Sequence, residues 1–326
     1  MSRIRHRSIL SAAVVLAAGC VAEVSIAQTY PTKPVRFIIA NSPGGSDDFH
    51  GRLMATKFTE LFGQQFVVDN RAGGGGVIGQ ATVVNAAPDG YTILLAGRSI
   101  TAARYLNASL PFDPLKALTP VGVFADNQQV LVVHPSLKAN NVQEFIALAR
   151  AQPGKVSFGS GGGGGLTYIA PLIFMHMTRT NLLYVPYKNV TQAYADNVSG
   201  QVDCSFMSIA PAITQVNAGR LRALGVSGAA RSPALPNVPT IAEAGVPGYE
   251  AGSWLSILAP AATPRAIIGT LNSAIEKIIA EPEIRERLVK AGSEPVTSSP
   301  EAFAKRMADA SEQFGRIAKT MGIKPQ

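Results

Sequence analysis

The chain has 326 residues, 47% of them hydrophobic and 15% charged, with a formal net charge of +8. That length and apolar content suit two folded domains and argue against a disordered chain. The Lys and Arg residues are scattered rather than clustered, so the positive charge does not indicate a nucleic-acid-binding protein.

The first 27 residues have the layout of a secretory signal peptide. MSRIRHRS is basic, ILSAAVVLAAGCVA is apolar, and Ser25 and Ala27 are the small residues that signal peptidase prefers before the cut. We therefore expect export and a mature chain that begins near Gln28. Cys20 follows LAAG, a weaker match to a lipoprotein cleavage site, which leaves lipid anchoring at Cys20 as the lesser alternative.

Nine short apolar runs are predicted strands, and their continuous apolar character is typical of a parallel α/β sheet that is buried on both faces. In chain order they are Val35–Ala40, Gln65–Asn70, Tyr91–Ala96, Val130–His134, Val156–Gly159, Leu183–Val185, Val202–Met207, Leu221–Val226 and Leu255–Leu258.

Helical spacing of apolar residues lies between these runs. NVQEFIALARAQPG has this spacing and ends in a Pro-Gly stop, and a second apolar stripe covers 267–279. Ser299, Pro300 and Glu301 form an N-cap, a first-turn proline and an acidic first turn for a last helix.

The stretch NSPGGSDDFHGRLM follows the first predicted strand and leads into a helix. Gly44 and Gly45 can expose backbone N–H groups, and the helix adds its positive N-terminal end, so this loop is a candidate anion site with Ser46 beside it. Asp47 or Asp48 can cap the free N–H groups. The alternative is an ordinary tight turn with an acidic cap.

A second glycine loop, in VSFGSGGGGGLTYIAPLIF, again lies between a strand and a helix. Five consecutive glycines are unfavourable in conformational entropy unless the backbone must approach something closely, and a flexible linker is the alternative. The loop consists of Ser160, Gly161, Gly162, Gly163, Gly164 and Gly165. Two such loops could face each other across a cleft and hold one anion from both sides.

A third run, NRAGGGGVIG, places Gly74, Gly76 and Gly79 in a G-x-G-x-x-G pattern. Three residues separate it from the preceding strand, and the usual acidic residue after a second strand is missing, so we do not favour a dinucleotide site. No cofactor is predicted.

No catalytic or metal-ligating set is predicted. After the leader, the histidines are His50, His134 and His176, which are too dispersed for a spaced metal motif. Cys204 is alone in the mature chain, without a partner for a disulfide, and its apolar strand predicts a core residue.

Several motifs together resemble the Bug family, the extracytoplasmic solute receptors of tripartite tricarboxylate transporters. The resemblance covers essentially the whole mature chain, and the order of the motifs makes it specific. They are PGGSDDFHGRL, VVDNRAGGGGVIG, DGYTILLAG, VPYKN, GQVDCSF, RSPALPNVPTIAEAGVPGYE, SWLSILAPAATP and AFAKRMADASEQFGRIAKTMGIK.

This resemblance implies an α/β fold, a two-domain periplasmic binding protein of the type II-like clamshell kind with its ligand cleft between the lobes. Domain 1 would contain residues 29–128 and 252–326, and domain 2 residues 129–251. The expected function is capture of a small organic acid for a transporter or a sensor, with the two glycine loops holding a carboxylate. The expected partners are that ligand and membrane transporter subunits, with no nucleic acid, and the receptor is expected to be monomeric.

Departures from the family pattern bear on ligand choice. Asp47 and Arg98 replace small or hydroxylated residues, which suggests that they pair with each other or select a ligand with an added amine; Asp47 facing solvent is the alternative. Tyr168 and Met207 would make the distal pocket less polar. An enzyme acting on a carboxylated substrate is the second hypothesis, with only Asp47, Asp48 and His50 available for chemistry.

Overall fold

The computed structural model describes residues 30–41, 43–161 and 165–325, so the predicted signal peptide and Cys20 lie outside the described residues. The strands are, in chain order, β1 (Val35–Ile39), β2 (Phe66–Asn70), β3 (Thr92–Ala96), β4 (Leu118–Asn127), β5 (Gln129–Val133), β6 (Ser157–Ser160), β7 (Leu183–Pro186), β8 (Cys204–Ser208), β9 (Arg222–Val226), β10 (Ser253–Pro260) and β11 (Ser293–Pro295).

The helices cover the faces of two sheets. In chain order they are α1 (Ser46–Phe62), α2 (Val77–Val84), α3 (Ser99–Leu106), α4 (Pro114–Ala117), α5 (Val142–Ala151), α6 (Leu166–Thr178), α7 (Val190–Val198), α8 (Ile209–Asn217), α9 (Arg265–Ala280), α10 (Pro282–Lys290) and α11 (Pro300–Thr320). The predicted N-cap at Ser299 forms, since Ser299 Oγ accepts the N–H of Ala302 (3.2 Å). Asn141 also caps α5, because its Oδ1 accepts the N–H of Glu144 (2.9 Å).

The α/β fold class is confirmed, but the prediction of parallel sheets is wrong in part. The first sheet has the order β11-β4-β10-β3-β1-β2 and the second β7-β6-β8-β5-β9. β10 runs antiparallel to both of its neighbours, and β5 is antiparallel to β8 and β9. These antiparallel strands carry the chain between the sheets and are buried on both faces, so their apolar runs look the same as those of parallel strands.

The carboxyl ends of the parallel strands face the crossing between the sheets. β4 runs in the same direction as β1 and β3, because β10 is antiparallel to both β3 and β4. Gln128 alone then connects β4 to β5, and Gln129 pairs with Ser208, the last residue of β8. Since β6 is parallel to β7 and β8, the loops after these strands lie on the crossing side, opposite the loops after β1, β2 and β3.

The two sheets agree with the predicted division of the chain, which itself stays a prediction. All strands of the first sheet lie in 29–128 and 252–326, and all strands of the second lie in 129–251. The last helix does not respect that division. Phe303 and Met307 pack on the first sheet, whereas Phe314 and Ile317 belong to the core that contains Phe158 and other residues of the second sheet.

Among the described residues, none of the helices combines the length and the apolar content that a membrane crossing requires.

The packing of α11 against the second sheet predicts that its buried side chains stabilise the fold. Phe314→Ala should lower the free energy of unfolding by about 3–5 kcal/mol, because it leaves a cavity in the core of the second sheet. Urea denaturation followed by circular dichroism measures this change. Glu312→Ala on the same helix is the control, since its side chain is 76% exposed and should change stability by less than about 0.5 kcal/mol. Equal effects of the two variants would contradict the packing.

Candidate functional site

The first glycine loop connects β1 to α1 at the edge that faces the crossing. Gly44 has φ +81°, a conformation that favours glycine, and its N–H donates to Asp48 Oδ2 (3.0 Å). Gly45 is the N-cap of α1 and provides no side chain to cap the helix. The first helical N–H groups are therefore open to an anion.

Asp48 stabilises this loop through hydrogen bonds to protein groups. Its carboxylate is buried, accepts the Gly44 N–H and forms an ion pair with Arg52, whose Nε lies 3.0 Å from Oδ2. The hydrogen bond from Arg52 lowers the pKa of Asp48, so the carboxylate stays charged. Direct contact between Asp48 and a ligand, one of our sequence predictions, has no support from this geometry because both oxygens face protein groups.

Asp47 is half-buried on the first turn of α1, and its carboxylate accepts a hydrogen bond from the Asn41 side chain. Burial raises the pKa of Asp47, whereas the bond from Asn41 lowers it. No Lys or Arg in the described part of the chain forms an ion pair with this carboxylate. The predicted pairing of Asp47 with Arg98 is therefore wrong.

Arg98 makes its hydrogen bonds to groups outside both glycine loops. Its Nη1 donates to the Gly252 carbonyl (2.9 Å), its Nη2 donates to Gln313 Oε1, and its own backbone N–H donates to Ser253 Oγ (3.0 Å). A long side chain at the end of β3 can reach either way, and this one reaches toward α11.

Met207 is also placed differently from the prediction. Its side chain is fully buried and packs among apolar residues of β5, α8 and β9, including Val130, Ala212 and Val226. Phe206 fills the core on the other face of the same sheet. A strand buried on both faces sends neither side chain into a cleft, so Met207 does not line the pocket.

The third glycine run lies against the first loop. Gly73, Gly74, Gly75 and Gly76 all have positive φ, and a Cβ on Gly79 would lie 2.7 Å from the Cα of Ala40. Only glycine fits that approach. The run therefore supports the first loop, and Gly76, the N-cap of α2, also lacks a side-chain cap. The G-x-G-x-x-G spacing of this run is the signal in the sequence. That spacing is typical of a dinucleotide site, so the predicted anion site does not include these residues.

The second glycine loop connects β6 to α6. Ser160 is fully buried, with its Oγ 3.0 Å from Thr167 Oγ1. A Cβ on Gly161 would lie 2.5 Å from the backbone nitrogen of Val190 at the start of α7, so this glycine is required by close packing. Gly165 is the exposed N-cap of α6 with an ordinary φ of −76° and no side-chain cap. Gly162, Gly163 and Gly164 lie outside the described residues.

Tyr168 follows in the first turn of α6 and is half-buried. Its ring centroid is 4.8 Å from that of Tyr184, which in turn stacks on Phe158 at 5.2 Å. Burial raises the pKa of Tyr168, so the phenol is neutral at physiological pH. The side chain adds aromatic surface beside the second loop.

The residues considered for catalysis are engaged elsewhere. His50 is buried, with Nδ1 2.6 Å from the Ser46 carbonyl and Nε2 3.0 Å from Ser293 Oγ. Nδ1–H must donate to that carbonyl, and burial lowers the pKa of His50, so the neutral ring accepts from Ser293. Cys204 is a core residue, as predicted, and burial raises the pKa of its thiol. Within the described ranges, no three His, Cys, Asp or Glu residues form a metal-binding group.

The arrangement is suited to holding an anion without reacting with it. Each sheet contributes a glycine loop and a helix whose N-terminal N–H groups have no side-chain cap, and the two loops lie on facing edges. Main-chain donors and helix dipoles favour a carboxylate or another oxyanion. Such a fold and such a site are those of a two-lobed solute-binding protein.

Comparison with known proteins identifies the family. A model described as the tripartite tricarboxylate transporter family receptor matches residues 51–323, and the chain belongs to this family of solute receptors. BugT of Bordetella pertussis is 34% identical over 309 residues, which is 94% of each chain.

Solved structures agree with this assignment. Rpa4515 of R. palustris, determined with adipate, has a TM-score of 0.81 and 32% identity over 91% of this chain and all of that one. MatC from Rhodopseudomonas palustris, with bound malate, has a TM-score of 0.78 and 26% identity over 88% of this chain and 99% of that one. The resemblance inferred from the sequence motifs is thereby confirmed.

Two glycines of the second loop make a contrasting pair. Gly161→Ala should lower the free energy of unfolding by about 1–3 kcal/mol, because its Cβ overlaps the backbone of α7. Gly165→Ala should change it by less than about 0.5 kcal/mol, because the nearest atom to a Cβ there is 3.9 Å away. Thermal or urea unfolding of the two variants measures the difference, and a stability order opposite to this one would contradict the loop geometry.

Proposed function

We propose that the protein is a periplasmic receptor that binds a small organic acid between the loops at 44–48 and 160–165 and delivers it to a transporter of the tripartite tricarboxylate type. The observation that carries this proposal is the pair of uncapped helix N-termini on facing sheet edges, one from each sheet. The carboxylates bound by the two structural neighbours, adipate and malate, support the same ligand class.

Binding would close the two lobes on the ligand. The loop after β1 and the loop after β6 belong to different sheets, so an anion can contact both only when the sheets approach each other. Ligand contacts that exist only in the closed state shift the equilibrium toward closure. The membrane subunits of the transporter would then recognise the closed form of a monomeric receptor.

An enzymatic role has no specific observation in its favour. Of the three candidates for chemistry, His50 is bonded on both ring nitrogens and Asp48 is paired with Arg52. Asp47 remains, and it is better explained as a group that selects among ligands. Tyr168 forms the less polar side of the pocket. Met207 does not contribute to it, because its side chain is buried in the core.

The first experiment is a thermal-shift screen of the mature protein against mono-, di- and tricarboxylates and acidic amino acids. A ligand at 100 times its dissociation constant adds about 2.7 kcal/mol of apparent stability. A stabilising carboxylate, left unchanged after incubation, supports the receptor assignment. Turnover of the acid would contradict it, and a folded protein that responds to none of the acids would contradict the ligand class.

Gly165→Asp separates binding from stability. The new carboxylate caps α6 and should leave the free energy of unfolding unchanged or slightly higher, because Gly165 has an ordinary φ and open space. The same charge beside the anion site should weaken carboxylate binding about tenfold or more. Calorimetric titration of the best ligand measures this loss. Gly165→Ser, which adds a cap without a charge, is the matched control, and equal affinities of the two variants would contradict the site.

Asp47 can be tested with a matched pair of ligands, glutamate and glutarate, which differ in one amine. If Asp47 accepts an ammonium group, Asp47→Asn should weaken glutamate binding about tenfold and leave glutarate binding equal or stronger. Glutamate binding to the unmodified protein should also fall as the pH drops through the raised pKa of Asp47, because protonation removes the acceptor charge. Identical responses of both ligands would show that Asp47 plays no part in selection.

A further inference from the structure

A second charged groove lies on the α11 side of the crossing, apart from both glycine loops. It has a volume of about 460 Å³. Its walls are the charged face of α11, the segment that leads into β10, and Arg98 at the start of α3. The lining side chains are Arg98, Gly248, Glu250, Trp254, Ala302, Lys305, Arg306, Asp309, Ala310, Gln313 and Arg316.

The floor of this groove holds a guanidinium group without a carboxylate partner. Arg98 is only 7% exposed, and the groups that it contacts, the Gly252 carbonyl and the Gln313 side chain, are neutral. Glu250 also lines the groove, but it is exposed and forms no ion pair with Arg98 within the described residues. A buried charge without a close counterion is unfavourable, so this side chain has unused capacity for an anion.

The other cations of the groove differ from Arg98 in having close acidic partners. Arg306 Nη1 lies 2.8 Å from Asp126 Oδ1, and Lys305 Nζ lies 2.6 Å from Asp309 Oδ2. An anion in the groove would therefore compete with carboxylates everywhere except at Arg98. The planar fork of a guanidinium fits anions that present two oxygens.

The Trp254 ring lies close to two guanidinium groups. Its ring centroid is 6.0 Å from Cζ of Arg98 and 5.0 Å from Cζ of Arg306. The side chain is 1% exposed, and its indole Nε1 has no hydrogen-bond partner in the described structure. This unpartnered buried donor thus belongs to a residue that lines the groove.

We propose that this groove is a second binding site, for a small oxyanion with two or more charged oxygens, with Arg98 as its main donor. The site spans the crossing: Gly248 and Glu250 come from the second predicted domain, and α11 and Arg98 from the first. An anion bound there would contact both, so it would also influence the relative position of the lobes. Free inorganic phosphate and free dicarboxylates share the required chemistry.

Trp254 is the single tryptophan of the chain, so intrinsic fluorescence reports on this groove. The mature protein is titrated with inorganic phosphate and, separately, with succinate, and sodium chloride of equal ionic strength is the blank. We expect a saturable change in the emission of Trp254 with at least one of the two anions. The arm that saturates at the lower concentration distinguishes a phosphate site from a carboxylate site. A response no larger than that to sodium chloride would overturn the proposal.

Two variants test the assignment to Arg98. Arg98→Gln should weaken the fluorescence response about tenfold or more, whereas Arg285→Gln, an exposed arginine of α10, should not. Gln313→Glu places a carboxylate beside the guanidinium, so it should abolish the anion response and raise the melting temperature, even if Arg98→Gln fails to fold. Gln152→Glu, at the exposed end of α5, is its control.

Independence from the glycine loops is tested with Gly165→Asp. This variant should keep the response of Trp254 to whichever of the two anions saturates in the unmodified protein, while losing affinity for the main ligand. The two sites can then be disabled separately. A response that survives in both Arg98→Gln and Gln313→Glu, or one that disappears in Gly165→Asp, would show that the fluorescence change comes from elsewhere and would refute the second site.

Discussion

The single-residue connection at Gln128 is the constraint on which the arrangement of the site depends. With one residue between β4 and β5, the carboxyl end of the first sheet must stand close to the start of β5, and Gln129 pairs with the end of β8. The return crossing is just as short, because Ala251 N–H donates to the Ser227 carbonyl and Ser253 pairs with Asn127. The strand-to-helix loops of the two sheets consequently face one another. The free N–H groups at the uncapped helix N-termini are then in a position to bind a ligand between the sheets.

Most of this framework is readable in the sequence, because apolar runs and glycine loops follow from local chemistry. All nine predicted strands exist, as does the predicted cap at Ser299. β4 was missed because Pro120 and Gly122 interrupt its apolar run; the strand tolerates both where its pairing with β10 shifts register. The glycine run predicts that the backbone of the second loop approaches another group closely. At Gly161 that group is the backbone of α7, which no local sequence pattern reveals.

The sequence does not predict the direction in which several side chains of the candidate site point. Asp47 lies on the first turn of α1, Arg98 follows β3 and Met207 lies near the end of β8, so all three backbones lie on the side of the sheets that faces the crossing. Met207 faces a second core that exists because the sheet is covered on both sides. Arg98 contacts α11, which lies some two hundred residues later in the chain. Asp48 pairs with Arg52, one turn along its own helix. These outcomes depend on tertiary contacts, so position in a motif could predict a neighbourhood but not a contact.

The packing of α11 also sets the order in which this molecule can mature. The core of the second sheet is built mainly from residues 131–251, with Ala102 of α3, yet it is completed by Phe314, Ile317 and Ala318 from the last turns of α11. Contacts between segments so far apart close slowly, because their loops must be ordered first. A chain in which both sheets have formed still exposes the apolar surface that Phe314, Ile317 and Ala318 cover until α11 packs against it. Residues of α11 are therefore needed to complete a core that consists mostly of residues far earlier in the sequence.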